Sequence, residues 1–391
     1  MNPAHSNPPR VAIALEMEWG YKRHLETYAG CLNYASEAGW DCVITPSSNH
    51  IFKSKKDEKP FDGVIARVTK SMATTAGRKK VPMVNVWLNS PATQVPSVHA
   101  DFEESGRIAA EHLMSRGFRR FGYLGYVREI ESKRQIKGFK HTLQPKDFEC
   151  SIHQFARTSL HGNANAWDEF RSGLLKWVAS WRPPIGIFVV NDLYCRYLMD
   201  ACRSVGLNVP HDYAIIGTSN EPSICNSPYP TLTSIDMGFE EIGYRAADLL
   251  NSLVRGNQPP AISELVKPKK LVPRQSTDSF AAEDPLISNA LRFIAENSHH
   301  PLSVKDVALA TGINRRSLER RFKRYSPEGI AKQIGRMRIE RAKRLIIETK
   351  GSLKSIAIEC GFRNSDHLSK AFLRIEKLTP SKFRKLNGQA R

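Results

Sequence analysis

The last quarter of the chain contains one short pattern twice, and this repeat restricts the possible folds more than any other feature of the sequence. Val307-Ala308, three further residues and Gly312-Ile313 return as Ile356-Ala357, three further residues and Gly361-Phe362. Each copy predicts a short helix that stops at a glycine, because glycine takes the left-handed conformation of a tight turn without strain. A second helix follows in each copy. The repeat therefore predicts two helix-turn-helix units separated by a connecting helix.

The second helix of each copy is predicted to carry polar and basic side chains on a face that packs against nothing. Leu318 with Phe322, and Leu368 with Phe372, lie four positions apart and anchor the opposite face in a core. Such a helix fits the major groove of B-DNA, where Arg and Lys bind guanine, Asn binds adenine and Ser binds either. The predicted DNA contacts are Asn314, Arg315, Arg316, Ser317 and Arg320 in the first copy, and Arg363, Asn364, Ser365, Asp366, His367 and Lys370 in the second.

The positive charge of the chain is concentrated in the same region. The sequence has 58 Lys and Arg against 39 Asp and Glu, and residues 285–391 hold 24 of these basic and 9 of these acidic side chains. The remainder of the chain is nearly neutral, with 34 basic and 30 acidic side chains. A surface that binds DNA phosphates needs this concentration of charge, whereas an ordinary solvated surface does not.

The repeat also carries a family resemblance. Residues 285–386 resemble the AraC/XylS-type DNA-binding domain, and this implies double-stranded operator DNA as a partner. Lys377 departs from the family pattern, which has Gly before the Thr-Pro pair. The matching residues are Ile356, Ala357, Gly361, Phe362, Leu368, Phe372, Thr379, Pro380, Phe383 and Arg384, together with Arg338, Ala342 and Leu345 on the connecting helix.

The preceding part of the chain alternates short β-rich runs with amphipathic helical segments. This alternation is typical of a doubly wound parallel sheet, or of two such sheets. A chain of 391 residues is also too long for one core of ordinary size, which indicates two or three domains. The predicted strands lie at 11–15, 42–45, 63–66, 81–86, 121–124, 185–190 and 214–216, and the predicted helices include 25–38, 105–116, 167–181 and 193–205.

Residues 10–277 resemble the ligand-binding core of the LacI/GalR family, a relative of periplasmic sugar-binding proteins. The resemblance rests on the order of several weak motifs. It implies an α/β two-lobed periplasmic-binding-protein-like sensor domain at 10–277, a linker at 278–285, and an all-α double helix-turn-helix domain at 286–386. A sugar-type sensor ahead of an AraC-type domain resembles the xylose operon regulators. The motifs are Asp101-(x4)-Gly106, Arg134-Gln-Ile-Lys-Gly138-Phe139, Val190-Asn191-Asp192, Leu232-Thr-Ser-Ile-Asp236 and Arg274-Gln-Ser276-Thr277, the last as the end of the final strand.

A sugar cleft needs acidic and amide side chains for hydroxyl groups and an aromatic surface for the ring, on loops at the carboxyl ends of the strands. Trp19 and Trp87 are candidates for stacking on a ring. Asp101 and Asp192 are alternatively explained as helix N-caps. Gln135 stands where the family has Arg, with Arg134 beside it, and we expect this change to alter which sugar fits. The predicted ligand contacts are Glu16, Arg23, Arg67, Asp101, Arg134, Asn191, Asp192 and Asn220.

Other function classes find little support in the sequence. It has no G-x-G-x-x-G after a strand, no G-x-x-x-x-G-K-[ST], no G-x-S-x-G and no H-E-x-x-H motif, so we predict no catalytic residues, metal or cofactor. His299-His300 is an isolated pair without further ligands at metal spacing. The seven cysteines are scattered without a C-x-x-C pair, which favours reduced thiols in a cytoplasm, and no apolar run is long enough to span a membrane.

Together these features predict a ligand-responsive bacterial transcription regulator that is not an enzyme. The resemblance implies a sugar effector, xylose or a similar one, and activation of carbohydrate-utilisation genes. It further implies a homodimer on two operator sites, RNA polymerase as a partner and a cytoplasmic location. Two alternatives stay open: an α/β enzyme or sugar-binding protein with an accessory DNA-binding module, and a constitutive architectural DNA-binding protein.

Overall fold

The computed structural model describes residues 8–17, 22–45, 51–52, 61–157, 163–210, 212–228, 230–278, 281, 284–325 and 329–387. Within these ranges the chain is α/β up to about residue 277 and all-helical after it. The predicted fold class is therefore confirmed. Of the predicted linker, Ser279, Phe280, Ala282 and Glu283 lie outside the described residues.

The strands of the α/β part form two sheets. The first has the order β2-β1-β3-β4 and is parallel, and the second has the order β12-β10-β9-β8-β6-β7, in which only β12 is antiparallel to its neighbour. A separate parallel pair joins β5 to β11. The strands are β1 Arg10–Ala14, β2 Asp41–Ile44, β3 Gly63–Ala66, β4 Met83–Asn85, β5 Val98–Ala100, β6 Arg120–Tyr126, β7 Glu149–Phe155, β8 Ile185–Val189, β9 Tyr213–Thr218, β10 Thr233–Asp236, β11 Glu264–Val266 and β12 Lys270–Val272.

The helices cover the faces of the two sheets and then build the C-terminal part alone. The α/β part has α1 Lys22–Ala38, α2 Lys70–Lys79, α3 Phe102–Ser115, α4 Ile130–Leu143, α5 Ala164–Ala179, α6 Asp192–Ser204, α7 Pro222–Cys225 and α8 Phe239–Val254. The C-terminal part has α9 Pro285–Asn297, α10 Val304–Ala310, α11 Arg315–Tyr325, α12 Gly329–Glu348, α13 Leu353–Glu359, α14 Ser365–Glu376 and α15 Pro380–Asn387.

The two sheets are the centres of two lobes, and the chain passes between them. It enters the second lobe after β5, where the backbone N–H of Asp101 donates to the carbonyl of Val266 on β11 at 2.8 Å. Helix α8 returns to the first lobe and packs against α1, with Asn33 Nδ2 donating to Glu240 Oε1 at 2.9 Å. The apolar residues of the central strands β1, β3, β6, β8 and β9 are almost completely buried, because helices cover both faces of these parallel sheets.

The C-terminal part has two small cores, one for each copy of the repeat. Leu318 and Phe322 are completely buried in the first core, and Leu368 and Phe372 in the second. Helix α12 contributes side chains to both cores, and this continuous helix holds the two helix-turn-helix units together. The repeat analysis is therefore confirmed, with each recognition helix continuing past the residues predicted for it, to Tyr325 and Glu376.

Several strands were not predicted from the sequence. Strands β5, β11 and β12 have three residues each, and β7 alternates polar residues that are only partly buried, so none of them gives a strong apolar signal. The expectation that Arg274 to Thr277 ends the last strand is wrong. Gln275–Thr277 forms a 3₁₀ turn after β12, and Ser276 Oγ there donates to the carbonyl of Ile215 at 2.6 Å.

The departure of Lys377 from the family pattern leaves the turn geometry intact. Lys377 ends α14 with φ of 60°, in the left-handed region where glycine is favoured, and its N–H donates to the carbonyl of Leu373 at 3.0 Å. A side chain in this conformation costs roughly 1 kcal/mol or more. Phe372 and Phe383 lie on either side of this turn and pack against each other, with ring centroids 5.3 Å apart.

Candidate functional site

A cleft of about 570 Å³ lies between the two lobes. Its walls come from the ends of strands in both sheets. Glu16 follows β1 and Arg67 follows β3 in the first lobe, whereas Asn191 follows β8 and Ser219 follows β9 in the second. Ligand sites of open α/β sheets occur at this edge, outside the carboxyl ends of the strands.

Five of the eight predicted ligand contacts line this cleft, and three do not. Glu16, Arg23, Arg67, Asn191 and Asp192 lie in its walls. Asp101, Arg134 and Asn220 lie outside this lining. Of the two tryptophans considered for stacking, Trp87 lines the cleft, and Trp19 lies outside the described residues.

Charged side chains are paired across the cleft walls. Arg67 forms an ion pair with Glu16, and its guanidinium lies 4.8 Å from the centre of the Trp87 ring. Arg23 Nη1 lies 3.8 Å from Glu131 Oε2, which joins the first lobe to α4 of the second. Burial raises the pKa of Glu131, and the nearby Arg23 acts in the opposite direction. These ion pairs hold two guanidiniums and two carboxylates in the cleft walls. The guanidiniums supply hydrogen-bond donors and the carboxylates supply acceptors.

Asp192 is completely buried and organises the loop after β9. Its Oδ1 accepts from Ser234 Oγ at 2.5 Å, and its Oδ2 accepts from the backbone N–H of Glu221 at 2.8 Å. Burial raises the pKa of this carboxyl to about 6. The interpretation of Asp192 as a helix cap is wrong, because Asn191 is the cap of α6 and accepts from the N–H of Tyr194 at 3.2 Å.

Aromatic residues form the wall of the cleft in the second lobe. Tyr126, Tyr194 and Tyr197 line it, and the rings of Tyr126 and Tyr194 meet edge to face with centroids 5.5 Å apart. The Tyr126 hydroxyl accepts from Asn191 Nδ2 at 3.0 Å, and Arg157 lies 5.4 Å from the centre of the Tyr126 ring. Sequence reasoning missed these residues. The spacing of Tyr194 and Tyr197 at the start of a helix was the available signal, since three positions place both on one face.

The three predicted contacts outside the lining have structural roles or different surroundings. Asp101 caps α3, with Oδ1 accepting from the N–H of Glu104 at 3.0 Å, so its alternative interpretation as a cap holds. Asn220 accepts from Arg274 Nη2 at 2.8 Å and donates to Asp236 Oδ2 at 3.3 Å. The Nη1 atom of Arg134 is buried and has no hydrogen-bond partner among the described residues.

The second functional surface is the exposed face of α11 and α14. The predicted DNA contacts lie in the first turns of these helices or just before them, opposite the buried anchors. All of them are exposed except Ser317 and Ser365, which are half-buried. Arg315 Nε pairs with Glu319 Oε1 of the next turn at 2.8 Å. The arrangement presents Arg, Asn, Ser, His and Lys side chains on two separate helix N-termini, which also attract phosphates.

Asn314 and Asn364 each have a second role that the DNA prediction did not include. The Asn314 side chain accepts from the N–H of Ser317 at 2.8 Å, and the Asn364 side chain accepts from the N–H of His367 at 2.9 Å. Both residues therefore cap the helices that they precede. Their amide NH₂ groups are still available for a base edge, because only the oxygen takes part in the cap.

Comparisons with known proteins agree with this division into two functional surfaces. Residues 96–277 match the family model of the periplasmic binding protein-like domain, and residues 299–386 match that of a helix-turn-helix domain. The xylose operon regulatory protein of Escherichia coli (strain K12) is 26% identical over 389 residues, which cover 97% of this chain and 98% of that protein. The xylose operon regulatory protein of Haemophilus influenzae is 28% identical over 292 residues, 74% of each chain.

Solved structures show the same architecture. The structure of the xylose-binding transcription activator xylR has a TM-score of 0.68 at 23% sequence identity, and the match covers 98% of this chain and 100% of that one. The transcriptional regulator CelR in complex with cellobiose matches 69% of this chain and 85% of its own, with a TM-score of 0.55 at 19% identity. No helix in the described ranges has the length and apolar character to cross a membrane, and no group of His, Cys, Asp and Glu there could hold a metal ion. The chain joins a periplasmic binding protein-like domain to a C-terminal helix-turn-helix domain and resembles the xylose operon regulators along nearly its whole length, and it is a ligand-responsive transcription regulator, not an enzyme.

Proposed function

We propose that the cleft binds a small sugar, D-xylose or a similar pentose, and that the sugar-bound protein activates transcription of carbohydrate-utilisation genes. The observation that carries this proposal is the composition of the cleft. It combines paired carboxylates and guanidiniums with tyrosine and tryptophan rings, and a sugar needs both, since its hydroxyls form hydrogen bonds and its C–H faces pack on aromatic rings. The relatives named for xylose operon regulation support the choice of a pentose.

Regulation in this proposal follows from the position of the cleft between two lobes. A sugar that contacts Arg67 of one lobe and Asn191 of the other binds the closed arrangement more tightly than the open one. Sugar binding then shifts the population towards closure, and the shift is limited by the difference in affinity between the two arrangements. The sugar contacts that we propose are Glu16, Arg23, Arg67, Asn191 and Asp192.

The proposed DNA contacts are those predicted on and before α11 and α14, because their exposed faces meet the requirements of a major-groove helix. We assign residues 10–277 to the sensor, 278–285 to the linker and 286–386 to the DNA-binding domain, since β1 begins at Arg10 and α9 begins at Pro285. A homodimer on two operator sites would place four helices in successive grooves. We propose RNA polymerase as the partner and a cytoplasmic location, where operator DNA is accessible.

Thermal unfolding of the full-length protein in a panel of sugars tests this proposal. A ligand that binds only the folded state raises the melting temperature, so a pentose at 100 times its Kd adds about 2.7 kcal/mol to the free energy of unfolding. The panel contains D-xylose, L-arabinose, D-ribose, D-glucose and D-galactose. Operator binding is measured for each sugar by fluorescence anisotropy at fixed salt.

Arg316→Ala is the control that separates the two surfaces. Arg316 is exposed on α11, far in sequence from the cleft, so its loss is expected to weaken operator binding by roughly 1 to 3 kcal/mol without changing the sugar-induced shift in melting temperature. If no sugar of the panel raises the melting temperature and operator binding is identical in all of them, the sugar-sensing function is wrong.

A further inference from the structure

One buried histidine faces the cleft from the strand that joins the lobes. His99 is the central residue of β5, pairs with Leu265 of β11 in the ladder, and is only 7% exposed. It lines the cleft next to Ala100 and Phe102. Its Nδ1 atom is buried and has no hydrogen-bond partner in the described part of the chain. A buried nitrogen without a partner is unfavourable in the protein alone, which points to a group supplied from the cleft.

Two other side-chain nitrogens in this neighbourhood are in the same situation. Arg134 Nη1 and Gln135 Nε2, on α4, are buried and lack partners among the residues that the structure describes. The other end of the Gln135 amide is fixed, because Oε1 accepts from the Tyr123 hydroxyl at 2.8 Å. Gln135 is therefore held with its NH₂ group unused, and the arginine beside it is also unsatisfied. Among the described residues, unpartnered buried nitrogens therefore occur on α4 as well as on β5.

The charge state of the imidazole decides which ligand group suits it. Burial lowers the pKa of His99, the nearby positive charge of Arg134 acts in the same direction, and the pKa lies at about 4. The ring is therefore neutral at pH 7, with one nitrogen as a donor and the other as an acceptor. A neutral imidazole gives a carboxylate or phosphate no charge attraction, whereas a hydroxyl group can donate to it or accept from it.

We infer that His99 is a specificity-determining contact for one hydroxyl group of a neutral polyhydroxylated ligand, through its Nδ1 atom. This inference rests on the proposed sugar-binding function and extends it to a residue outside the predicted contacts. His99 lies on β5, the strand after which the chain crosses from the first lobe to the second. A hydroxyl held by His99 touches the strand that connects the lobes, so the ligand contacts both walls and the crossing between them.

The test is isothermal titration of the full-length protein with D-xylose, using substitutions that keep or remove the Nδ1 position. Asn places a polar atom close to where Nδ1 lies, Gln places one close to Nε2, and Phe keeps the ring shape without nitrogen. We expect His99→Phe and His99→Gln to raise the Kd about tenfold, the loss of roughly one hydrogen bond, and His99→Asn to restore most of the affinity. His141→Phe is the matched control, since His141 is exposed on α4 and lies outside the cleft lining.

The monodeoxy derivatives of D-xylose identify the hydroxyl concerned. One of them should bind wild type about tenfold more weakly than D-xylose yet bind His99→Phe with nearly the same Kd as D-xylose does, because the contact is already lost. A structural role for His99 would lower the melting temperature of the sugar-free His99→Phe protein and give no such coupling. Removing an unpartnered buried nitrogen should instead leave that melting temperature unchanged or raised.

The possible outcomes distinguish the proposed contact at His99 from the proposed sugar-binding function. Suppose that wild type binds D-xylose, and that His99→Phe binds D-xylose and each deoxy sugar with the same Kd values as wild type. The assignment of His99 as a sugar contact is then wrong, and the sugar-sensing function stands. If wild type binds none of the pentoses and hexoses of the panel, both the function and the contact at His99 are wrong. Loss of affinity in His99→Asn equal to that in His99→Phe would overturn the assignment to Nδ1.

Discussion

A single buried carboxylate shows how one residue serves both the fold and the cleft. Asp192 fixes the loop at Glu221 through two hydrogen bonds and lines the cleft at the same time. Its pKa is raised because burial disfavours the charge more than these bonds favour it. The folded protein therefore holds this proton more tightly than the unfolded chain does, and the free energy of unfolding falls as pH rises from about 4 to about 6.

We predict that Asp192→Asn removes this pH dependence. Asn accepts from the Glu221 N–H with Oδ1 and donates to Ser234 Oγ with Nδ2, so the loop keeps its contacts without a buried charge. The stability of the variant relative to wild type should increase by about 2 kcal/mol between pH 4.5 and pH 7.5, because about 1.5 pH units of this window lie below the folded pKa of about 6, at ~1.4 kcal/mol per unit. Melting temperatures across this range measure the difference.

Asp200→Asn is the control for this measurement. Asp200 is exposed on the same helix and forms only a surface pair with Arg203 at 3.3 Å, so its substitution should change stability little at any pH. Parallel pH profiles for wild type and Asp192→Asn would show that the carboxyl titrates normally in the folded protein.

At the scale of elements, the two helix-turn-helix units are not equivalent. The turn from Gly361 to Asn364 is one residue longer than the turn from Gly312 to Asn314, because Arg363 is additional. Arg338 on α12 donates to the carbonyls of Ser298 at 3.0 Å and His300 at 2.8 Å, and these carbonyls face the second turn. Among the described residues, nothing lies within 4 Å of the Cβ position at Gly312 in the first turn. The helix that connects the units thus also ties the end of α9 to the second unit.

We predict that Gly361→Ala destabilises the DNA-binding domain more than Gly312→Ala does. Both glycines have a φ near 70°, so an added Cβ costs roughly 1 to 2 kcal/mol in each. At Gly361 the Cβ would also lie 2.6 Å from the Ser298 oxygen and 2.9 Å from the His300 oxygen, whereas at Gly312 nothing lies within 4 Å. The additional clash is expected to cost roughly 1 to 3 kcal/mol, measured by urea unfolding of the full-length protein. Equal destabilisation by the two substitutions would contradict the difference in packing.

At the scale of the whole molecule, the sensor contacts the chain that leads to the DNA-binding domain at the end of α3. Arg116 Nε donates to the carbonyl of Thr277 at 2.5 Å, and the N–H of Ala281 donates to the carbonyl of Arg116 at 2.8 Å. Burial lowers the pKa of Arg116, and the carboxylates of Glu340 and Asp278 act in the opposite direction. Glu340 belongs to α12, the helix that carries both DNA-binding units, so charges of the two parts of the chain influence each other at this junction.

We predict that Arg116→Ala weakens the coupling between sugar and operator without removing either binding. In the wild type, the factor by which sugar changes operator affinity must equal the factor by which operator changes sugar affinity. Coupling factors of this kind are typically about 5- to 150-fold. The same factor should be several-fold smaller in Arg116→Ala. Titration of each ligand in the presence and absence of the other measures it.

Arg107→Ala serves as the comparison, because Arg107 lies on the same helix and its ion pairs with Glu104 and Glu111 stay within that helix. Its coupling factor should equal that of wild type. An unchanged factor in Arg116→Ala would show that the domains communicate by another route, such as the dimer contact.

The sequence by itself determined what is local or periodic in this protein. The glycine-terminated repeat, the four-residue spacing of Leu318 with Phe322, and the alternation of strands and helices depend on neighbours along the chain. These features predicted the fold class and both recognition helices, because turn conformation and helix faces are set within a few residues. The positions of Asn191 and Arg67 at the edge of the cleft were also predicted in this way, since the carboxyl end of each buried strand is visible in the sequence.

The tertiary structure alone decided which polar residues meet. Asp101, Arg134 and Asn220 were predicted from the same kind of local signal as Asn191, yet only Asn191 lines the cleft. Asp101 caps α3, Arg134 has a buried Nη1 atom outside the lining, and Asn220 pairs with Arg274. His99 gave no signal in the sequence, because a three-residue strand has no period. The positive charge that helps to lower its pKa belongs to Arg134 on α4, far along the chain. Burial and partners depend on contacts between distant segments, so hydrogen-bond satisfaction and shifted pKa values, which identify the cleft, emerge only when the lobes are assembled.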